Sequence, residues 1–180
     1  MGRLIYSMGT SLDGFIAGPG GEIAVPPPDA ELHRFHNDQL REVEAHLCGR
    51  RLYEVMTYWD TYDEDDPSAP EHEREWAGLW KALRKIVFST TLESVGPNAR
   101  LASVEEVAAI KHETEGDLAI GGAGLAFACR DLIDEYQPIV HPVVAGGGTA
   151  FFAPGTELKL RLVDTRTFSS GVVSMRYARY

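Results

Sequence analysis

The segment from Ile120 to Leu125 places Gly-Gly-Ala-Gly between a short apolar run and a run of helix-forming residues. Glycines at such a junction allow backbone N–H groups to approach a ligand closely, and the beginning of a helix favours negative charge. The segment matches neither the G-x-G-x-x-G fingerprint nor a P-loop, so a pyrophosphate cradle and a tight packing turn both remain open. It constrains the fold because it predicts a strand that leads directly into a helix.

A similar junction occurs at Gly49, where the short apolar run 46–48 precedes a helical pattern over 50–56. A third strand is predicted over Lys85–Ser89. Strands and helices alternate along most of the chain, and two more strand candidates follow at 159–164 and 171–180. This order predicts a mixed α/β sheet with helices on both faces.

The first long helix is predicted to follow Pro26-Pro27-Pro28, with Asp29 as its N-cap and an end near Ala45. Its apolar face carries Leu32, Phe35, Leu40 and Val43. Another strand is predicted over 139–145, with His141 inside it.

The chain of 180 residues has a length typical of one domain, 1–180, and its 17 basic and 27 acidic residues give a net charge of −10. That charge argues against nucleic acid or an anionic membrane as the main partner. No apolar run reaches membrane-spanning length, and a cytoplasmic location is expected. Cys48 and Cys129 lie in apolar contexts typical of free thiols, and the acidic stretch 60–75 is interpreted as a solvated loop rather than a metal site.

Several side chains at the predicted strand ends could bind an anion. Arg50 and Arg51 begin a helix, where the helix dipole disfavours cations, so a phosphate monoester would relieve the conflict. Alternatively, the two arginine side chains could extend into solvent or pair with nearby carboxylates. The hydroxyls of Ser89 and Thr90 could bind phosphate oxygens or act as turn residues. If the three strand ends share one sheet edge, they outline a dinucleotide site.

Six segments stand out in order along the chain: Ser11–Ala17, Gly49–Glu54, Ile86–Ser89, Ile120–Leu125, Leu132–Tyr136 and His141–Gly148. Together they resemble the dihydrofolate reductase-like superfamily, most closely the branch that includes the C-terminal reductase domain of bacterial riboflavin biosynthesis proteins. The resemblance implies a three-layer α/β/α fold with a mixed, mostly parallel sheet and antiparallel C-terminal strands. It also implies NADPH as the cofactor and a homodimer.

By the same resemblance, the pyrophosphate would meet Gly121, Gly122, Ala123 and Gly124. The ribose 2′-phosphate would be surrounded by Arg50, Arg51, Ser89 and Thr90. Gly49 and Leu125 are further cofactor-binding candidates. Ile16 and Ala17, with the Met8-Gly9 backbone, would lie beside the nicotinamide. Asp13-Gly14 is interpreted as a turn that orders this loop rather than as an acid.

Folate reductases carry an acidic residue on the first long helix, and its nearest counterpart here is Glu31, followed by Asp29. His141 is a third catalytic candidate. The candidate substrate pocket comprises Leu32, Phe35, Met56, Trp59 and His141, each of which also has a core interpretation. The resemblance thus implies an NADPH-dependent reductase that transfers hydride to a small heterocyclic, carbonyl or imine substrate. The alternative is a non-catalytic NADP(H)-binding or ligand-sequestering module.

Overall fold

The computed structural model describes residues 2–180. Its strands are β1 (Leu4–Thr10), β2 (Phe15–Ala17), β3 (Val43–Gly49), β4 (Arg84–Phe88), β5 (Ala99–Ala102), β6 (Asp117–Gly121), β7 (Glu135–Val140), β8 (Thr149–Ala150), β9 (Leu160–Thr167) and β10 (Val173–Arg179). Its α-helices are α1 (Ala30–Arg41), α2 (Arg50–Met56), α3 (Glu71–Ala82), α4 (Val107–Glu113) and α5 (Ala123–Ala128). Short 3₁₀ turns cover Thr57–Asp60 and Val104–Glu106.

Eight strands form one sheet in the order β5-β4-β3-β6-β1-β7-β10-β9. The strands from β5 to β7 are parallel to their neighbours, whereas β10 pairs antiparallel with both β7 and β9. The predicted mixed, mostly parallel sheet with antiparallel C-terminal strands is therefore confirmed. The dihydrofolate reductase-like α/β architecture follows from this order.

The helices cover both faces of the sheet, which gives the three layers. Alternation along β3 sends Ala45 and Leu47 to the face covered by α4 and α5, and Cys48 to the face covered by α1 and α3. The first face buries Leu4, Tyr6, Leu118 and Ile120 against Val107 and Leu125. The second face is less tightly filled, and a cavity lies there between α1 and the sheet.

The predicted end of the first helix near Ala45 is wrong. The Asp29 carboxylate caps α1 by accepting a hydrogen bond from Leu32 N (2.8 Å), but the helix ends at Arg41. Residues 43–49 instead form β3, which is hydrogen-bonded to β4 on one side and to β6 on the other. Pairing on both edges satisfies the backbone of this segment and outweighs its helical pattern.

Two further differences concern strands. The short strand β5 pairs with β4 at the edge of the sheet and was not predicted, because its four residues carry little apolar patterning. The predicted strand 139–145 is displaced, since β7 covers Glu135–Val140 and ends before His141. Charged and amide side chains at the beginning of β7 mask its strand character in the sequence.

Candidate active site

The three strand ends predicted to carry ligand-binding groups meet at one edge of the main sheet. Gly49 pairs with Phe88 in the register of β3 and β4, and Cys48 pairs with Gly121 in the register of β3 and β6. These strands are parallel, so the segments that follow them lie side by side. This is the edge at which open α/β sheets bind ligands.

The glycine turns that follow β3 and β6 pack backbone against backbone. Gly122 has a φ of +100°, and a β-carbon there would lie 3.4 Å from Gly49 Cα. A β-carbon on Gly49 would in turn lie 3.4 Å from the carbonyl oxygen of Gly121. Glycine at both places keeps the two turns close together and leaves no side chain above them.

The first turn of α5 continues this bare surface. Ala123 begins the helix, and a β-carbon on Gly124 would meet no other atom within 4 Å. The side chain of Leu125 is buried in the core beneath the helix. Backbone groups therefore dominate the edge at 122–124, which suits the close approach of a phosphate group.

The two arginines at the beginning of α2 differ in their contacts. Arg50 forms an ion pair with Glu54 (3.0 Å), which compensates its positive charge within the same helix. Arg51 is exposed and makes no hydrogen bond or ion pair with any residue from 2 to 180. Arg51 thus offers a free guanidinium at the edge of the sheet.

Ser89 and Thr90 lie on a groove of about 750 Å³ that Arg50 also lines. The Ser89 hydroxyl oxygen accepts hydrogen bonds from the backbone N–H groups of Thr91 (3.1 Å) and Leu92 (3.0 Å). Ser89 therefore organises the turn after β4. This is the turn role that the sequence offers as the alternative to phosphate binding. Thr90 is exposed beside it, with its hydroxyl available to a ligand.

Ile16 and Ala17 lie in β2, which pairs with β8 outside the main sheet. The loop that leads to β2 is held by the Asp13 carboxylate, which accepts hydrogen bonds from Ala145 N (3.0 Å) and Gly146 N (2.8 Å). Hydrogen bonds from Ser11 and these two amides lower the pKa of Asp13 to about 2. Asp13 therefore stays ionised and fixes the loop.

A cavity of about 460 Å³ lies between α1 and the sheet. Phe35 and Met56, two of the five candidate pocket residues, line this cavity. The remaining wall includes groups that the sequence did not single out: Ser7, His36, Gln39, His46, Leu52, Trp76, Trp80 and Gln137. This part of the wall combines neutral polar groups with large apolar side chains.

The polar groups of this cavity are joined in a chain of hydrogen bonds. His36 Nδ1 lies 3.0 Å from Gln39 Oε1, and Gln39 Nε2 donates to Gln137 Oε1 at 2.8 Å. Gln137 Nε2 then donates to the Ser174 hydroxyl at 3.0 Å. An amide oxygen can only accept, so His36 carries its hydrogen on Nδ1. The chain holds both glutamine side chains in place.

Both histidines of the cavity wall are neutral at physiological pH. Desolvation lowers the pKa of His36 to about 4 and that of His46 to about 4. Cys48 Sγ lies 3.2 Å from His46 Nδ1, and burial raises the thiol pKa to about 12. Charge is therefore absent from this part of the wall.

Three of the predicted pocket residues lie outside the cavity lining. Leu32 packs in a separate apolar cluster with Ile139, Phe168 and Val172. Trp59 contacts the aromatic residues around α3. His141 is buried just after β7, where desolvation lowers its pKa and Asp29 opposes that shift. The prediction that His141 lies within a strand is wrong.

Neither of the two predicted acids on the first helix lines the cavity. Asp29 caps α1, and its bond from Leu32 N is the main cause of its lowered pKa. The Glu31 carboxylate accepts hydrogen bonds from Ser169 N (3.0 Å) and Ser169 Oγ (2.7 Å), which also lower its pKa. Each carboxylate thus has a structural hydrogen-bond partner, Leu32 N for Asp29 and Ser169 for Glu31.

Gly121 joins the glycine-rich edge to the cavity. A β-carbon on this residue would lie 2.2 Å from Leu52 Cδ2, 3.0 Å from His46 Cε1 and 3.6 Å from Met8 Sδ. All three neighbours line the cavity. The end of β6 therefore packs against the cavity wall and is also the beginning of the glycine turn.

The sequence contains one signal for the missed wall. Ser7 and Gln137 are polar residues inside central strands of a sheet whose two faces are covered, where apolar residues are the norm. Such a position predicts either a buried hydrogen bond or a pocket. The choice between them requires knowledge of what packs opposite.

The profile of the RibD C-terminal domain matches residues 3–174. The chain belongs to this family. A curated relative, the uncharacterized protein YyaP of Bacillus subtilis (strain 168), is 34% identical over 187 residues, which cover 97% of this chain and 94% of that protein.

Solved structures share the fold of this family member. A protein from Shewanella sp. PV-4 described as a riboflavin biosynthesis protein superposes with a TM-score of 0.70 at 22% identity, over 99% of each chain. The dihydrofolate reductase of Enterococcus faecalis, solved with NADP(H), gives a TM-score of 0.65 at 17% identity, over 98% of this chain and 96% of that one. These likenesses establish the dihydrofolate reductase-like fold.

Two negative findings apply to the described part of the chain, residues 2–180. None of its helices has the length and apolar character required to cross a bilayer. Within the same residues, no three His, Cys, Asp or Glu side chains are grouped so that they could hold a metal ion.

Proposed function

We propose that this protein is an NADPH-dependent reductase that acts on a small heterocyclic, carbonyl or imine substrate held beneath α1. The observation that carries the proposal is the position of Gly121, which begins the glycine turn and packs directly against Leu52 and His46 of the cavity wall. A dinucleotide bound along the sheet edge would have one end beside the cavity. Family membership supports the same activity.

The residues at the sheet edge fit NADPH. The bare turn at Gly122 and Gly124 leaves room for a pyrophosphate, and a side chain on either would fill that surface. Arg51, with no partner in residues 2–180, and the exposed Thr90 offer donors for a 2′-phosphate. When bound, NADPH would supply a hydride from its nicotinamide ring.

The chain itself contributes orientation and exclusion of water. Asp13 fixes the loop that carries Ile16 and Ala17, and α1 closes the cavity over the sheet. A pKa of about 4 leaves only about one in a thousand of the His36 or His46 rings protonated at pH 7. Both are therefore poor acids, and the proposed proton source is water.

Titration of the purified protein with NADPH and with NADH tests the cofactor. Tryptophan fluorescence is a suitable readout, because Trp76 and Trp80 line the cavity. We expect tighter binding of NADPH. Equal affinity for the two cofactors, or none for either, would contradict the 2′-phosphate assignment.

Steady-state oxidation of NADPH across pterins, pyrimidinones, flavins and quinones tests turnover. Rapid oxidation with one of these classes supports the reductase. Tight cofactor binding without turnover of any of them would favour the non-catalytic NADP(H)-binding module. The positions of Asp29 and Glu31 outside the cavity give that second function its only specific support.

The homodimer and the cytoplasmic location, expected from the resemblance and the composition, belong to the proposal as well. So does the treatment of residues 1–180 as one domain. Light scattering at several concentrations tests the dimer, and limited proteolysis tests the single domain. A monomer at every concentration would contradict the first, and two stable fragments the second.

A further inference from the structure

The two glutamines of the cavity have hydrogen-bonding groups that the protein leaves unused. Gln137 is 9% exposed and uses one N–H for Ser174 and one lone pair for Gln39. Each side-chain amide has two N–H donors and two lone pairs. Gln137 therefore retains one donor and one acceptor, and Gln39 retains one acceptor lone pair beyond its bond with His36.

A buried amide with an unused donor and an unused acceptor is suited to a particular kind of ligand. Unpaired polar groups in a protein interior are costly, so a ligand that pairs with both is favoured. A lactam or imide edge, with an N–H beside a C=O, supplies the complementary pair. The aromatic and apolar parts of the wall, Phe35, Trp76 and Trp80, suit a flat ring.

The charges around the cavity oppose an anionic ligand. Arg176 is the one cation among the lining residues, and its Nε donates to Glu135 Oε2 at 2.5 Å. Asp164 lies directly opposite Arg176 in the register of β9 and β10. The single guanidinium is therefore already compensated by its ion pair with Glu135.

The opening of the cavity carries further negative charge. The exposed residues of its lining are Asp38, Glu42 and Asp164, which are all carboxylates. Of these, Asp38 is paired with Arg41, whereas Glu42 and Asp164 have no ion-pair partner among residues 2–180. A phosphate or carboxylate entering here would meet net repulsion in addition to the cost of desolvation.

We infer that the cavity is selective for an uncharged planar heterocycle that presents a lactam edge to Gln137 and Gln39, and that it rejects phosphorylated or carboxylated substrates. This inference rests on the proposed function only for the reaction that follows binding. The selectivity itself depends on the cavity wall and its opening. Gln137 and Gln39 are specificity-determining residues in this account.

Equilibrium binding of two fluorescent probes tests the inference. Lumazine is a neutral bicyclic lactam, and 6-carboxylumazine adds one carboxylate to the same rings. We expect lumazine to bind about tenfold more tightly or better, the difference that about 1.4 kcal/mol of repulsion and desolvation would produce. Equal affinity, tighter binding of the carboxylated probe, or failure of lumazine to bind at millimolar concentration would each overturn the inference.

Two variants, one single and one double, locate the source of the selectivity. Gln137→Met keeps the volume of the side chain but removes its amide, and we expect lumazine affinity to fall about tenfold. The double variant with Glu42→Gln and Asp164→Asn should narrow the preference against 6-carboxylumazine. Glu113→Gln, an exposed change on the helix layer opposite the cavity, is the matched control and should leave both affinities unchanged.

Separate measurements distinguish this inference from the proposed reductase activity. NADPH affinity and the thermal midpoint are measured for each variant, so that misfolding and loss of the cofactor site are recognised. Selective lumazine binding by a protein that does not bind NADPH would uphold the selectivity and reject the reductase. NADPH binding with preference for the carboxylated probe would reject the selectivity and leave the proposed reductase standing.

Discussion

Leu52 Cδ2 occupies the space that a β-carbon on Gly121 would need, at a distance of 2.2 Å from that position. The contact ties the first helix after β3 to the end of β6, two elements that are far apart in the sequence. Because Leu52 also lines the cavity, the glycine fixes the wall between the sheet edge and the interior space. A side chain at position 121 would therefore disturb both.

Gly121→Ala is expected to destabilise the protein by about 1–3 kcal/mol, because Leu52 and His46 must move to admit the new methyl group. NADPH affinity should fall with it. Chemical denaturation gives the free energy of unfolding, and fluorescence titration gives the affinity.

Gly124→Ala is the matched substitution, since a β-carbon there meets nothing within 4 Å and alanine favours a helix. We expect unchanged or slightly increased stability but weaker NADPH binding, because the methyl group projects from the proposed phosphate surface. Unchanged NADPH affinity in this variant would contradict the placement of the pyrophosphate beside α5.

The sheet edge could be predicted from the sequence because its signals are local. Gly49 and Gly121 each end an apolar run and precede a helical one, and parallel strands separated by helices bring such ends to the same side. The capping of α1 by Asp29 is local in the same sense, whereas Asp13 orders its loop through amides that lie 132 and 133 residues away in the sequence.

The cavity could not be predicted in this way because its wall is assembled from distant segments. Gln39 meets Gln137 across 98 residues of sequence, and no periodicity indicates that pair. Helical spacing identifies Leu32 and Phe35 equally, yet only Phe35 faces the cavity, because Leu32 is covered by Phe168 and Val172. The predicted end of α1 near Ala45 is wrong for the same reason. The helix ends earlier because residues 43–49 pair with two neighbouring strands.

Arg51→Ala is expected to weaken NADPH binding by about 1–3 kcal/mol and to leave NADH binding nearly unchanged, since only NADPH carries the extra phosphate. Stability should not change, because Arg51 has no partner among residues 2–180. Parallel titrations with both cofactors measure the effect. Arg34→Ala, an exposed change on α1, serves as the control for loss of one positive charge. Matched losses for the two cofactors would show that Arg51 does not contact the 2′-phosphate.

Acidification is expected to destabilise the protein through the buried histidines. The folded-state pKa of His46, about 4, lies below its unfolded value of about 6.5, so the unfolded state binds more protons between these values. Stability therefore falls as the pH drops through this window, by up to about 2 kcal/mol between pH 6.5 and pH 5 from this ring alone. Urea denaturation at the two pH values measures the change.

His46→Gln should reduce that dependence on pH, and the exposed His112→Gln should not. His36, whose pKa is lowered to a similar value, should contribute in the same direction. A wild-type protein equally stable at pH 6.5 and pH 5 would show that these rings are hydrated or protonated within the fold.

Asp29→Ala and Glu31→Gln test whether water supplies the proton. Loss of the N-cap in Asp29→Ala should lower the free energy of unfolding by about 1 kcal/mol, whereas kcat per folded molecule should remain close to that of the wild type. Glu31→Gln should likewise retain kcat, because the Glu31 carboxylate is hydrogen-bonded to Ser169 and lies outside the cavity lining.

A general acid contributes about a hundredfold or more to the rate. A loss of that size in either variant, with NADPH affinity and the thermal midpoint preserved, would identify that carboxylate as the acid, because neither capping nor the Ser169 contact acts on the chemical step alone.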